Sequence, residues 1–169
     1  RFNIWKTESR LNEEGEPLPI EPGSYLEDWD EIESQIIDKV YPLASGKGFM
    51  PVKQVACDQG GEAGVSNNAY EYYRKLKRDN KHGRFRLVKG GSNKNADIYK
   101  VSYPDNTNNK ARKAKAKGDI PVILLHTDKC KDIVFNNLRR IERGRGYVHF
   151  PAWLGEWFYE ELTYEERDF

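Results

Sequence analysis

The run Val55-Ala56-Cys57-Asp58-Gln59-Gly60-Gly61-Glu62-Ala63-Gly64 constrains this chain most, because a short apolar stretch ends in a carboxylate and opens into glycines. Residues 51–56 are β-branched and apolar enough for a buried strand, bounded by Met50-Pro51 and by the glycine turn. Ser66 is then placed to cap a following helix. Asp58 falls at the C-terminal end of the strand, the edge of an α/β sheet where ligands and catalytic groups collect. An aspartate that turns the chain by bonding its own backbone fits the same letters, and the run alone leaves both readings open.

The remaining pattern alternates helix and strand signals. Residues 6–28 show scattered charges and proline-marked turns, an extended connector. Asp28 and Glu31 resemble a capping box, and Ile32, Ile36, Ile37 and Val40 recur at helical spacing, so a helix of about three turns is expected before Tyr41-Pro42 stops it. Ser45-Gly46-Lys47-Gly48 then turns the chain into the Asp58 strand. Residues 66–79 form a second helix with Tyr70, Tyr73 and Leu76 inward and Arg74, Lys75, Lys77 and Arg78 in water. Arg84-Phe85-Arg86-Leu87-Val88 alternates with the period of a strand, and Lys89-Gly90-Gly91 follows at the same sheet edge as Asp58 if the strands are parallel. That glycine pair is a weak signal for a phosphate cradle, and without a Walker signature no ATP hydrolysis is expected. Residues 98–103 make another short strand and residues 121–125 a buried one. Thr127 caps a last helix carrying Ile133, Val134, Leu138 and Ile141 inward.

Composition narrows the function. The 169 residues suit one domain, and 33% charge with a mean hydropathy of −0.88 is offset by 4 Trp, 10 Tyr and 7 Phe, enough apolar area for a core. No run reaches the length of a membrane span and the N-terminus is not a signal peptide, so a soluble, intracellular protein with no membrane partner is expected. Cys57 and Cys130 form no paired motif. His126 and Cys130 lack two further ligands for zinc; His126 either orients a water or packs, and His149 reads as structural. The net charge of +1 conceals a segregation: residues 81–118 hold 11 basic and 2 acidic side chains, a net +9. Such a segment suits a polyanion, whose counterions each lysine or arginine releases, or simply a solvated loop. Its densest part is Lys110, Arg112, Lys113, Lys115 and Lys117, interleaved with alanines that offer nothing to a base edge. Arg74, Lys75, Arg84 and Arg86 are the alternative phosphate track.

Four segments, in order, resemble the C-terminal nuclease domain of a tailed-bacteriophage terminase large subunit of the lambda-like branch. They are Phe2-Asn3-Ile4 leading to Tyr25-Leu26-Glu27-Asp28-Trp29-Asp30; Ala56-Cys57-Asp58-Gln59-Gly60-Gly61 with Ala63-Gly64-Val65; Leu87-Val88-Lys89-Gly90; and Thr127-Asp128 through Lys131-Asp132, closing on Gly144-Arg145-Gly146-Tyr147-Val148-His149-Phe150-Pro151. The resemblance spans nearly the whole chain. It implies an α/β fold with an RNase H-like (RuvC/integrase-like) mixed sheet flanked by helices, and cleavage of double-stranded DNA with Mg²⁺ or Mn²⁺.

Such chemistry needs hard oxygen ligands, and two ions about 4 Å apart would activate water and stabilise the leaving 3′-oxygen. The resemblance implies Asp58 and Asp128 or Asp132 as ligands, with Lys131 or Lys89 on a phosphate. In relatives the first acid lies in an Asp-Val-Gln-like motif on an early strand. No acid among residues 1–57 replaces it, so the expectation is a single nuclease domain over 1–169, N-terminally truncated, without its first strand or the ATPase motor. The terminase small subunit and the portal protein are the implied partners of the full-length protein, in the cytoplasm of the infected host. A non-catalytic DNA-binding or docking module with a degenerate site is the alternative.

Overall fold

A computed structural model describes residues 6–91, 95, 97–104, 119–150 and 153–164. It is a mixed α/β structure whose described residues fall into two compact units, 1–127 and 128–169.

In the N-terminal unit the sheet carries the fold. Strands β5 (Val55–Asp58), β6 (Phe85–Gly91) and β8 (Val122–His126) run parallel, and β7 (Tyr99–Ser102) pairs antiparallel with β8, giving the order β5-β6-β8-β7. The long crossover from β5 to β6 is helix α2 (Val65–Arg78), as a parallel pair requires. Its Ala69, Tyr70, Tyr72, Tyr73 and Leu76 are buried with Phe85, Leu87 and Val122, and Val55, Cys57 and Leu124 pack at the margin of this core. Tyr72 sits at its centre, 5.7 Å from the Trp29 ring and edge-on to Phe85 at 5.4 Å. Strand alternation sends the intervening residues Ala56, Asp58, Arg86, Val88, Ile123 and Leu125 to the opposite face.

Several expectations are corrected. Residues 6–28 are not a plain connector: β1 (Lys6–Leu11) and β2 (Pro17–Pro19) pair antiparallel, with an irregularity between Thr7 and Leu11. The capping-box helix does not form. Residues 27–37 run instead as a 3-10 turn (Glu27–Trp29), a single α turn, α1 (Asp30–Ile32), and a π turn (Glu33–Ile37). Asp28 is not available to cap, because it is buried and accepts from Nε and Nη2 of Arg10, each at 2.7 Å, and from the Glu21 N–H at 2.7 Å. Burial alone would raise its pKa; the Arg10 guanidinium and the Glu21 amide outweigh that and hold it below the ordinary carboxylate value.

Val40 is not on a helix stripe either. It begins β3 (Val40–Pro42), which pairs antiparallel with β4 (Phe49–Pro51) as a separate hairpin, so the strand expected over 51–56 is split between β4 and β5. Ser66 is not a cap: α2 starts from Gly64, and the Ser66 hydroxyl donates to the Gln59 carbonyl at 2.9 Å.

The C-terminal unit holds α3 (Thr127–Leu138), which follows β8 without an intervening loop and begins in the N-terminal unit at Thr127, and α4 (Glu156–Thr163). Phe150 packs against Phe158 and Tyr159, each with ring centroids 5.5 Å apart. The inward stripe expected on α3 is not found, since Ile133, Val134 and Ile141 are exposed and Ile141 lies beyond the helix. No helix among the described residues is long and apolar enough to cross a membrane.

Candidate functional site

Asp58 ends β5 directly opposite Val88 of β6, with its carboxylate exposed. Oδ1 accepts the Gly60 N–H at 2.9 Å, so the backbone-turn reading is realised, yet it occupies only one oxygen. Among the described residues no lysine or arginine forms an ion pair with Asp58. A carboxylate oriented by one N–H and otherwise open is a suitable hard ligand.

The turn behind it is braced by a segment far away in sequence. Gly64 has φ +92°, and a Cβ there would lie 2.2 Å from the Gly23 carbonyl oxygen; a Cβ on Gly23 would lie 2.5 Å from the Ala63 oxygen. The adjacent Pro22 carbonyl accepts the Trp29 indole N–H and the Asn68 amide, both at 2.9 Å. Glu21-Pro22-Gly23 is therefore the mould of the Asp58 turn. Its proline and glycine mark a turn in the sequence, but nothing local says what that turn supports.

Cys57 points to the core side. Burial, and then the neighbouring Asp58 charge, push its thiol up to about 11, so it stays protonated and is neither nucleophile nor thiolate ligand at neutral pH.

Lys89, Gly90 and Gly91 lie at the same sheet edge as Asp58, as parallel pairing requires, but inside β6 and not in a loop. Gly90 and Gly91 pair with Leu125 and His126, and a Cβ on Gly90 would meet the Thr127 hydroxyl at 3.1 Å. Lys89 is exposed and one residue past Val88, so alternation directs it to the face opposite Asp58, level with Leu124 and, across it, Lys100. His126 is 5% exposed, as a packing residue is, and its N–H donates to the Ile98 carbonyl at 2.9 Å. Thr127 is the first residue of α3, and its hydroxyl donates to the Gly91 carbonyl at 3.5 Å.

In the C-terminal unit, Asp128 is exposed in the first turn of α3, and half-buried Asp132 lies one turn on along the same side; Lys131 is exposed beside it. His149 is exposed, with its ring 4.8 Å from Tyr147. Among the described residues no group of three or more His, Cys, Asp or Glu gathers to hold a metal. Carboxylates are hard oxygen donors of the kind magnesium or manganese takes, and one or two of them with water suffice to bind either ion.

Lys110, Arg112, Lys113, Lys115 and Lys117 lie outside the described residues. The alternative track is already engaged. Arg74 pairs with Glu71 at 2.8 Å and Asp119 at 3.2 Å, Lys75 with Asp30 at 2.5 Å, and Arg84 with Asp38 at 3.3 Å; Arg86 donates to the His82 and Phe85 carbonyls at 2.9 Å. The sequence reading also missed the β3–β4 hairpin, whose strands of three residues each, exposed throughout, are too short to show a period.

No curated protein and no solved structure matches the chain. A family model described as terminase large subunit gpA, endonuclease domain, matches residues 1–169. An open carboxylate at a parallel strand end is compatible with that description, and the match runs from the first residue to the last: the chain belongs to the family of the terminase large subunit gpA endonuclease domain.

Proposed function

We propose that this chain is a metal-dependent endonuclease domain that cuts concatemeric double-stranded DNA during viral genome packaging, in the cytoplasm of an infected bacterium. The observation that carries the reading is Asp58, an exposed carboxylate at the C-terminal end of a parallel strand, fixed by the Gly60 N–H and a braced glycine turn. Family membership supports the nuclease class. The mixed sheet, with three parallel strands, one antiparallel edge strand and a helical crossover, supports an RNase H-like arrangement. The small subunit and the portal protein are the proposed packaging partners.

Bound Mg²⁺ or Mn²⁺, as one ion or two, supplies an activated water and charge stabilisation at the leaving 3′-oxygen. Asp58 holds its free oxygen ready as a ligand, and the Gly60 N–H fixes the carboxylate plane. Asp128 and Asp132 are the candidate ligands on α3. Lys131 and Lys89 are candidate phosphate contacts, and Lys110, Arg112, Lys113, Lys115 and Lys117 follow the duplex backbone without reading bases.

The test is cleavage of linear duplex with Mg²⁺ or Mn²⁺. Asp58→Ala eliminates cutting while leaving folding and duplex binding intact; cutting at the parental rate refutes the assignment. Metal titrations of Asp128→Ala and Asp132→Ala identify the α3 ligand, and equal affinity in both variants removes that helix from the site. The second reading is a DNA-binding module with a degenerate site. That module binds duplex and never cuts it.

A further inference from the structure

The β3–β4 hairpin differs from every other element of the N-terminal unit. All residues of both its strands are exposed, Phe49 at 70% and Met50 at 53%, with Val40, Tyr41 and Leu43 beside them. A two-stranded ribbon is marginal in water, and one that shows apolar side chains on both faces gains nothing from its own core.

Yet this ribbon is firmly built. At the turn, Gly46 N–H donates to the Leu43 carbonyl at 2.9 Å and Leu43 N–H to the Gly48 carbonyl at 3.1 Å. At the root, Arg84 donates to the Ile37 carbonyl at 2.8 Å and to the Val52 carbonyl at 3.5 Å, while Lys81 holds Asp38 at 2.8 Å. Exposed apolar surface gathered on one hydrogen-bonded ribbon marks an interaction site.

The charge around it indicates the partner. Residues 39–57 contain Lys39, Lys47 and Lys53 and no aspartate or glutamate. Phe, Tyr and Met serve protein interfaces as well as DNA, but protein interfaces are depleted in lysine, and Phe, Leu, Met and Pro are residues that wedge between base steps from the minor groove. We propose that the β3–β4 hairpin is a duplex-DNA contact, with Lys47 and Lys53 on phosphates and Phe49, Met50 and Leu43 pressed against base steps. This rests on the nuclease reading and adds to it a second DNA contact, seven residues upstream of Asp58 at Pro51 and beyond the opposite end of β5.

The experiment uses the whole chain and a short duplex carrying 2-aminopurine, with circular dichroism confirming that each variant folds. The parental protein raises 2-aminopurine fluorescence as the step unstacks. Phe49→Ser combined with Met50→Ser weakens binding about tenfold and removes the fluorescence rise. Lys47→Gln combined with Lys53→Gln keeps the rise but flattens the slope of log affinity against log salt by about 1 to 2. Equal binding, slope and fluorescence in parental protein and both variants overturns the hairpin proposal and leaves the ribbon for a protein partner. If the parental protein still cuts duplex with Mg²⁺ in that case, the nuclease reading stands alone; if it neither binds nor cuts, both fall.

Discussion

Gly64→Ala should unfold the protein at markedly lower denaturant. The residue has φ +92°, where a side chain costs roughly 1–2 kcal/mol. Its Cβ would also lie 2.2 Å from the Gly23 carbonyl oxygen, far inside contact distance, and that neighbour is backbone and not a flexible tip. The segment 21–23 must therefore move, which breaks the bonds from Trp29 and Asn68 to the Pro22 carbonyl, each worth about 1 kcal/mol. The expected loss is about 3 kcal/mol, read as a fall in the urea midpoint at unchanged m-value. Gly83→Ala is the control, because its φ is ordinary and nothing lies within 4 Å of the added carbon; it should change stability by less than about 0.5 kcal/mol. Since the Gly64 turn aims Asp58, duplex cleavage should fall too, even where the variant is fully folded. A Gly64→Ala protein within about 1 kcal/mol of the parent would show that the 21–23 segment does not brace the turn.

Tyr72 has a buried hydroxyl without a partner among the described residues, and burial, then the charges of Glu33 and Asp30, push its pKa up and keep the phenol neutral. Tyr72→Phe should be neutral or stabilise by up to about 1 kcal/mol, whereas Tyr72→Ala should cost about 4 kcal/mol, both by urea titration. The raised Cys57 thiol should react with iodoacetamide at pH 8 roughly a hundredfold more slowly in the native protein than in urea, followed by mass spectrometry of the Cys57 peptide.

The elements set by local pattern were legible. The α2 stripe, the alternation of β6 and the apolar run of β8 each announce themselves within a dozen residues, and so does the Asp58 strand end. What was not legible depends on distant partners. Asp28 has the letters of a cap, but Arg10 claims it from 18 residues away. Arg74 and Lys75 look like a wet face, yet their partners Asp119 and Asp30 each lie 45 residues off. The glycines after Asp58 advertise a turn, while the reason for Gly64 is a carbonyl at Gly23. The α3 stripe has helical spacing, and spacing alone says nothing of what covers it.

The ion pairs at and just beyond the C-terminal end of α2 also determine how a duplex first meets the N-terminal unit. Lys75, Lys81 and Arg84 each stand against Asp30, Glu33 or Asp38, so beyond a screening length of about 8 Å their fields largely cancel. An approaching polyanion is steered instead by cations without such close partners, among them Lys47, Lys53, Lys77, Arg78 and Lys100, all exposed. Within the described residues of the N-terminal unit, orientation during the diffusional encounter is therefore governed by the hairpin side and the exposed C-terminal end of α2.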